Sequence, residues 1–288
     1  MQTISRLDAL RSAVGALKSG GKPGIKTLAL VPTMGALHEG HLTLVREAKK
    51  RADHVAVSIF VNPRQFGPNE DLDAYPRRMA ADSALLEQEG VDLLWAPTVE
   101  VMYPAGYATN VSVSGLDKVL CGAARPGHFD GVATVVGKLF NQVRPDVALF
   151  GEKDWQQLAI IRRMARDLDL VAPFVDAIIG VPTVREADGL AMSSRNQYLT
   201  PAERGAAPAL ARAMRRAIAT IVAGDPVAPA LTTLRTDVLA AGFRAIDYAD
   251  LRDADTLEDL PKFDGRPARL LVAAHIGKAR LIDNMAVL

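Results

Sequence analysis

Continuous apolar runs constrain the fold of this chain more than any other feature of its sequence. Such runs occupy residues 27–31, 54–61, 92–96, 147–150 and 175–179. A strand that is apolar on both sides needs helices over both faces of its sheet, and parallel strands need a crossover segment between them. Segments with helical character separate these runs, so the sequence predicts the α/β class with a Rossmann-like, doubly wound parallel sheet.

The last third of the chain has a different texture. Pro201 opens an alanine- and arginine-rich segment, for which we predict one helix to about residue 222, and another helix is predicted at residues 231–241. Short strands are predicted at residues 245–251, 270–276 and 279–282. We therefore expect two domains, residues 1–183 and a smaller C-terminal α+β domain of residues 184–288.

Composition narrows the range of functions. Hydrophobic residues are 49% and charged residues 23% of the chain, which is typical of soluble globular proteins. A formal net charge of +1 leaves no broad basic surface for nucleic acid and favours a small-molecule substrate. No apolar run approaches the roughly 20 residues of a spanning helix, and the amino terminus lacks a signal peptide's apolar stretch. We expect no nucleic-acid partner, no membrane partner and a cytoplasmic location.

The strongest chemical signal lies where the first apolar run ends, in Pro32-Thr33-Met34-Gly35-Ala36-Leu37-His38-Glu39-Gly40-His41. A helix N-terminus offers unpaired amides and about half a positive charge, which suits a phosphate group. His38 and His41 are three residues apart, so on a helix both can donate to phosphate oxygens from one face. Gly40 costs about 1 kcal/mol in a helix relative to alanine, which indicates a ligand against the backbone. The alternative, two surface histidines on an amphipathic helix, fits this order of strand, glycine and helix less well.

Two further segments suit a polyphosphate. Gly151-Glu152-Lys153-Asp154 follows an apolar run, at the sheet edge where open α/β folds bind ligands. A charged helix start with Asp154 as N-cap is the alternative there. Met192-Ser193-Ser194-Arg195 offers hydroxyls and a guanidinium fork, although a plain exposed loop is equally favoured by the tetrapeptide alone. Gly20-Gly21-Lys22-Pro23 lacks the spacing of a Walker loop, which disfavours a kinase.

The His38-Glu39-Gly40-His41 element resembles the H-x-G-H signature of the nucleotidyltransferase superfamily. Together with Phe60-Val61-Asn62-Pro63-Arg64-Gln65-Phe66 and Arg125-Pro126-Gly127-His128-Phe129-Asp130-Gly131, the segments above closely resemble the pantothenate synthetase family over essentially the whole chain. The resemblance implies a ligase that condenses (R)-pantoate with β-alanine through a pantoyl-adenylate, using ATP and Mg²⁺ and releasing AMP and pyrophosphate. It also implies a homodimer, with ATP and pantoate bound by the first domain and the C-terminal domain closing over the active site.

The resemblance also assigns roles to residues of this sequence. It implies ATP contacts at Met34, Gly35, Ala36, Leu37, His38, Glu39, Gly40, His41, Gly151, Glu152, Lys153, Asp154, Val184, Met192, Ser193, Ser194 and Arg195. Gln65 and Gln157 are implied to hold pantoate, since amides bind a carboxylate and hydroxyls without adding charge. Positioned donors offset the repulsion between an anionic carboxylate and an anionic phosphate. The catalytic donors implied are His41, His38, Lys153, Ser193 and Arg195.

Several residues and functions leave alternatives open. Arg125 and His128 lie in a glycine-bearing loop, where substrate contact and loop structure are equally favoured. Asp82 is predicted to be an exposed helical carboxylate, with help in placing Mg²⁺ as the alternative, and no metal ligand is assigned. Cys121 is predicted to be a packed thiol. Other functions to be distinguished are a different nucleotidyltransferase, a class I aminoacyl-tRNA synthetase and a non-catalytic nucleotide sensor.

Overall fold

The five apolar runs supply five strands of a six-stranded sheet in a computed structural model that describes residues 1–19, 26–68, 70 and 72–288. The strands are β1 (Gln2–Ile4), β2 (Leu28–Thr33), β3 (His54–Ile59), β4 (Leu93–Trp95), β5 (Val147–Gly151) and β6 (Ile178–Val181). Their order is β1-β4-β3-β2-β5-β6, and all neighbours pair in parallel. The chain leaves β2 toward one edge and returns to start β5 on its other side, which places the topological switch point between them. The predicted doubly wound sheet is confirmed.

Helices cover both faces of this sheet. They are α1 (Leu7–Ser19), α2 (Glu39–Lys49), α3 (Met79–Gln88), α4 (Val99–Met102), α5 (Leu120–Ala124), α6 (His128–Val143) and α7 (Trp155–Asp167). Successive residues of a strand face opposite sides, and in β2 Leu30 packs into one core while Val31 packs into another. The first core contains residues of α1, α6 and α7, and the second contains residues of α2 and α3. No helix in the described ranges is long and apolar enough to cross a membrane.

The C-terminal part builds a second, antiparallel sheet. Its elements are α8 (Pro201–Ala206), α9 (Ala209–Val222), α10 (Val227–Ala240), β7 (Ala245–Asp253), β8 (Ala268–Ile276) and β9 (Ala279–Val287). The strand order is β7-β8-β9. One face of this small sheet, with Leu270 and Val272, packs on α9 and α10 in a core of its own. The other face, with Tyr248, Leu271 and Ala273, packs into the core of the large sheet.

Several local expectations differ from the structure, and the strand predicted at residues 175–179 is in fact Ile178–Val181, preceded by a 3-10 turn at Val175–Ala177. The single helix predicted from Pro201 to residue 222 is wrong, because Pro208 lacks an N–H and separates α8 from α9. α10 begins at Val227, directly after Pro226, and not at residue 231. α1 had not been predicted, and neither had β1, whose three residues are too few to show a pattern. The Gly20-Gly21-Lys22-Pro23 stretch lies outside the described residues.

Candidate active site

A cavity of about 240 Å³ lies at the carboxyl ends of β2 and β5, at the switch point of the large sheet. It brings together side chains from all three predicted phosphate segments and both predicted pantoate residues. The predicted residues that line it are Met34, His38, Gly40, His41, Gln65, Gly151, Lys153, Asp154, Gln157, Val184, Met192, Ser193, Ser194 and Arg195. Five other predicted ATP contacts do not line this cavity: Gly35, Ala36, Leu37, Glu39 and Glu152.

The imidazoles of His38 and His41 cap the start of α2 by accepting hydrogen bonds from backbone N–H groups. The N–H of Gly40 donates to Nδ1 of His38 at 3.2 Å, and the N–H of His38 donates to Nδ1 of His41 at 3.3 Å. The two ring centroids are 4.1 Å apart. A neutral imidazole whose Nδ1 accepts a hydrogen bond carries its proton on Nε2. Both rings therefore keep an Nε2–H group as a donor.

Both histidines are neutral near pH 7. Burial, with the Lys153 ammonium as the next cause, lowers the pKa of His38 from 6.5 to about 4. Burial lowers the pKa of His41 further, to about 3, with contributions from His38 and Lys153. The cavity therefore holds two uncharged N–H donors beside fixed cations.

Gly40 has a reason in the structure that the sequence did not reveal. A Cβ atom at Gly40 would lie 2.9 Å from Cε1 and 3.0 Å from Nδ1 of His38. The absence of a side chain makes room for the imidazole of His38. The close approach that the sequence suggested for a ligand is thus already made by this ring.

Asp82 holds the turn between β2 and α2, and its predicted exposure is wrong. Asp82 is only 2% exposed. Its two carboxylate oxygens accept hydrogen bonds from the N–H groups of Ala36 and Leu37, each at 2.9 Å. The carboxylate is drawn inward because Gly35 and Ala36 have positive φ angles of 85° and 51°, which turn the next amides toward α3. Asp82 therefore shapes the turn that leads into α2, and both of its carboxylate oxygens are engaged.

Gln65 sits in a short 3-10 turn, Pro63–Gln65, that several buried groups hold in place. Asn62, at 1% exposure, donates from Nδ2 to Gln65 Oε1 at 3.1 Å. His128 Nδ1 and Arg125 Nη2 both donate to the backbone carbonyl of Gln65, at 2.8 and 3.2 Å. Arg125 is itself paired with Glu70. Arg125 and His128, left open by the sequence, thus brace the Gln65 turn while lining the cavity.

The Gly151–Asp154 turn, which we call the Lys153 turn, links β5 to α7. Asp154 occupies the N-cap position of α7, but its side chain makes no capping hydrogen bond to the described backbone. Lys153 Nζ lies 3.8 Å from Asp154 Oδ2. The side chain of Glu152 points away from the cavity to Arg269, at 2.7 Å. Lys153 therefore brings a cation to the cavity, and Asp154 brings a carboxylate.

The Met192–Arg195 segment ends a short hairpin. Arg185 pairs with Ala191 in an antiparallel bridge, and Gly189 turns the hairpin with a φ of 91°. Ser193 Oγ accepts from the N–H of Arg195 at 3.2 Å, which caps the 3-10 turn that follows. The segment thus has a defined backbone and is more than a plain exposed loop.

The residues that hold the site carry a weaker signal in the sequence than those that line it. Asp82 is a single polar residue without a motif, and Asn62 lies in the 60–66 segment but had no role assigned; both prove to be buried. Asn284, on β9, also contacts the Lys153 turn from more than a hundred residues away in the sequence. No periodicity or spacing in the sequence links these residues to the cavity.

Comparisons with known proteins agree along the full chain. A sequence model of the family described as pantoate-beta-alanine ligase matches residues 2–286. A pantothenate synthetase of Novosphingobium aromaticivorans is 75% identical over 287 residues, covering 100% of this chain and 99% of the relative. A crystal structure of pantothenate synthetase from Thermus thermophilus has a TM-score of 0.91 and 48% identity, covering 100% of this chain and 99% of that one.

A further solved structure contains ligands. It is a pantoate-beta-alanine ligase from Francisella tularensis, complexed with beta-gamma ATP and beta-alanine. It has a TM-score of 0.81 and 32% identity, and it covers 99% of this chain and 97% of that one. This similarity again spans both sheets.

Proposed function

The chain belongs to the pantoate-β-alanine ligase family, and from this membership and its cavity we propose how its residues carry out the family's reaction. The protein is an enzyme that joins pantoate to β-alanine with ATP as the energy source. The observation that carries the assignment of residues is the meeting of His38, His41, Lys153, Ser193 and Arg195 around one cavity.

In the first step, a carboxylate oxygen of pantoate attacks the α-phosphorus of ATP. The new P–O bond forms as the bond to the β-phosphate breaks, and pyrophosphate leaves. Electrostatic repulsion between the pantoate carboxylate and the α-phosphate is the main barrier, because both groups are anionic. Lys153 and Arg195 supply positive charge, and the Nε2–H groups of the two histidines supply neutral donors that need no reorganisation.

Pantoate lies between Gln65 and Gln157 in this proposal. Nε2 of Gln65 now donates to the thioether sulfur of Met34, at 2.9 Å. A thioether is a weak acceptor, so this donor can turn to a carboxylate or hydroxyl of pantoate at little cost. Oε1 of Gln65 is held by Asn62, which leaves the orientation of the amide determined.

In the second step, the amine of β-alanine attacks the acyl carbon of the adenylate. The new C–N bond forms, the bond from the acyl carbon to the phosphate oxygen breaks, and AMP leaves. The amine must lose a proton, because a primary amine is mostly protonated at pH 7. Neutral surroundings, such as the amide of Gln65, favour the uncharged amine.

Mg²⁺ fits the donors of this cavity as an ion that accompanies ATP. The described ranges contain no cluster of three or more His, Cys, Asp or Glu side chains that could hold a metal. Among the described residues that line the cavity, Asp154 is the acidic one. Mg²⁺ is commonly held by one or two carboxylates together with phosphates and water. We therefore assign Asp154 as its protein contact, and the ion would neutralise charge on the departing phosphates.

We also propose the domain division, the oligomeric state, the location and five further ATP contacts. A division at residues 183 and 184 is supported by the two sheets and by the separate core between the small sheet and its helices. A homodimer and a cytoplasmic location are proposed from the family resemblance. The ATP contacts at Gly35, Ala36, Leu37, Glu39 and Glu152 are proposed from the family resemblance alone, since none of the five lines the cavity and the N–H groups of Ala36 and Leu37 already donate to Asp82.

A product assay tests this function. The enzyme is incubated with ATP and pantoate, with and without β-alanine, and nucleotides, pyrophosphate and pantothenate are separated. We expect pyrophosphate in amounts near that of the enzyme without β-alanine, and continuous release of AMP, pyrophosphate and pantothenate with it. With β-alanine present, nucleotide retained in the final product would indicate another nucleotidyltransferase, and ATP bound without pyrophosphate release would indicate a sensor.

A further inference from the structure

Two neighbouring residues of β9 reach the segments that carry the phosphate-facing side chains. Asp283 and Asn284 are buried, at 4% and 3% exposure. Nδ2 of Asn284 donates to the carbonyl oxygens of Glu152 and Lys153, each at 2.8 Å. The carboxylate of Asp283 accepts from both terminal nitrogens of Arg185, at 2.7 and 2.8 Å. The small sheet therefore contacts both the Lys153 turn and the hairpin that leads to Met192.

Arg269 of β8 determines which way the Asn284 amide faces. Its Nη1 donates to Asn284 Oδ1 at 2.6 Å, and its Nη2 donates to Glu152 Oε2 at 2.7 Å. Its guanidinium lies over the ring of Trp155, 3.4 Å from the centroid. Because a cation engages Oδ1, a flip of the amide would lose these bonds and place an oxygen against two carbonyls. The NH₂ group must therefore face the Lys153 turn.

The hydrogen bonds of Asn284 hold the backbone of the Lys153 turn and make no contact with the Lys153 side chain itself. An amide NH₂ has two hydrogens, and here each goes to one of two successive carbonyls. With its carbonyl held by Asn284 and its position set before the first turn of α7, Lys153 presents its side chain to the cavity. Asn284 itself does not line that cavity. Its effect on a ligand must pass through the turn.

We propose that Asn284 is a positioning residue for ATP, which acts through the backbone of Lys153 and is held in register by Arg269. The inference rests on the proposed function, since it takes Lys153 as a phosphate contact. In this proposal, the small sheet helps to hold the backbone of the nucleotide site in place. A misplacement of about 1 Å can cost on the order of 10²-fold in rate, so the turn need not unfold for activity to fall.

The test begins with Asn284→Asp, which keeps the size of the side chain and removes the NH₂ donor. We expect kcat/KM for ATP to fall by roughly 10- to 100-fold, while KM for β-alanine changes by less than about twofold. Arg269→Met should lower kcat/KM for ATP in the same way. Arg269→Lys should recover part of the loss, because its ammonium can still donate to Asn284 Oδ1.

Val238→Ala is the control for loss of stability alone. Val238 is fully buried in α10, in the separate core of the small domain. The variant should lower Tm while leaving kcat/KM for ATP within about twofold of wild type. If Asn284→Asp does not fold, as judged by circular dichroism, the Arg269 pair carries the test. Wild-type ATP kinetics in a folded Asn284→Asp, or in Arg269→Met, would overturn the inference.

A double-mutant comparison tests the route of the effect. The Kd for ATP is measured by calorimetry for Asn284→Asp in the wild-type and Lys153→Ala backgrounds. Residues that act through one another are not additive, so the change in Kd should shrink to less than about twofold once Lys153 is absent. An equal change in both backgrounds would exclude action through Lys153. If wild type and Val238→Ala themselves make no pantothenate, the proposed function fails, and that result is distinct from a failure of Asn284 alone.

Discussion

Each imidazole at the start of α2 uses one nitrogen to hold the backbone and leaves the other for a ligand. Nδ1 of His38 and of His41 accept from backbone N–H groups, so Nε2–H is the donor in both rings. Replacing a histidine here therefore removes a helix cap, the proposed donor to phosphate, or both. The two losses affect different measurements, stability and turnover, and can be separated by the choice of side chain.

His41→Ala should lower turnover by roughly 10²–10³-fold, because one preorganised donor to the phosphate is lost. His41→Asn should lower it similarly, since its Oδ1 can replace Nδ1 as the cap but nothing replaces Nε2–H. Only the alanine variant should also lose stability, by about 0.5–2 kcal/mol for the missing cap. Steady-state kinetics and thermal melts are compared with those of His54→Ala, whose ring contacts Asp92 at the far end of β3. Turnover near that of wild type in either His41 variant would remove His41 from the mechanism.

Residues that line the cavity could be predicted from sequence, and residues that hold them could not. His38, His41 and Lys153 follow strand ends, where a local pattern of strand, turn and helix indicates a phosphate site. Asp82 and Asn284 have no such pattern, because their partners are backbone atoms of distant segments. Only the tertiary structure shows that these two side chains are buried and fully engaged.

At the scale of the element, α6 has two glycines with different surroundings. A Cβ atom at Gly131 would lie 2.2 Å from the carbonyl oxygen of Arg64 and 2.7 Å from the N–H nitrogen of Gln65. At Gly137 the nearest atom would be Met164 Sδ at 3.5 Å, an ordinary contact. The close approach at Gly131 lets the Gln65 turn pack directly on the helix.

Gly131→Ala should therefore lower kcat/KM for pantoate by roughly 10²-fold, because the backbone of the Gln65 turn must move away from α6. Gly137→Ala is the matched control in the same helix. It should leave pantoate kinetics unchanged and should stabilise the protein by up to about 1 kcal/mol, since alanine is the better helix former. The two variants are compared by pantoate saturation curves and urea unfolding. Equal kinetics in the two would show that the contact with the Gln65 turn does not matter for pantoate.

The elements of the large sheet were predictable because burial on both sides leaves a continuous apolar signal. The same signal was absent where elements are short or interrupted. β1 has three residues and only Ile4 is buried, so its sequence resembles a loop. The segment from Pro201 is rich in helix-forming residues. One continuous helix was therefore predicted across Pro208, although a single proline is enough to end α8. The bounds of an element depend on such single residues more than its type does.

At the scale of the whole molecule, the small sheet is enclosed on both faces. Leu270 and Val272 face its own helices, while Leu271 and Ala273 face the core of the large sheet. The apolar character of β8 could be predicted from its sequence. Which core each face packs against could not, because an apolar sequence does not specify the elements that cover it. Packing on both faces, together with the polar contacts of β9, joins the two parts into one frame around the cavity.

The burial of histidines at the cavity makes the stability of the molecule sensitive to acid. Burial, followed by the charge of Arg125, lowers the pKa of His128 to about 4, and burial lowers that of His41 to about 3. Between the ordinary pKa of 6.5 and these values, the unfolded chain binds protons that the folded chain does not. The free energy of unfolding should therefore fall as pH falls from about 6.5 to 4, by up to about 1.4 kcal/mol per pH unit for each such histidine. Paired aspartates also lower the free energy of unfolding as the pH falls, but mainly below pH 4. Their contribution can therefore be separated from that of the histidines.

Urea unfolding at half-unit steps from pH 4 to 7.5 measures this dependence directly. His41→Asn removes one titrating group while keeping the cap at the start of α2, so its curve should be shallower than that of wild type by up to about one proton between pH 6 and 4. Saturating ATP should flatten the same region, because phosphate oxygens near the rings favour their charged form and raise the pKa in the folded complex. A wild-type curve that stays level or rises on acidification would contradict the burial of neutral imidazoles in the folded protein. Equal slopes for wild type and His41→Asn would assign the proton uptake to other groups and leave His41 accessible to water.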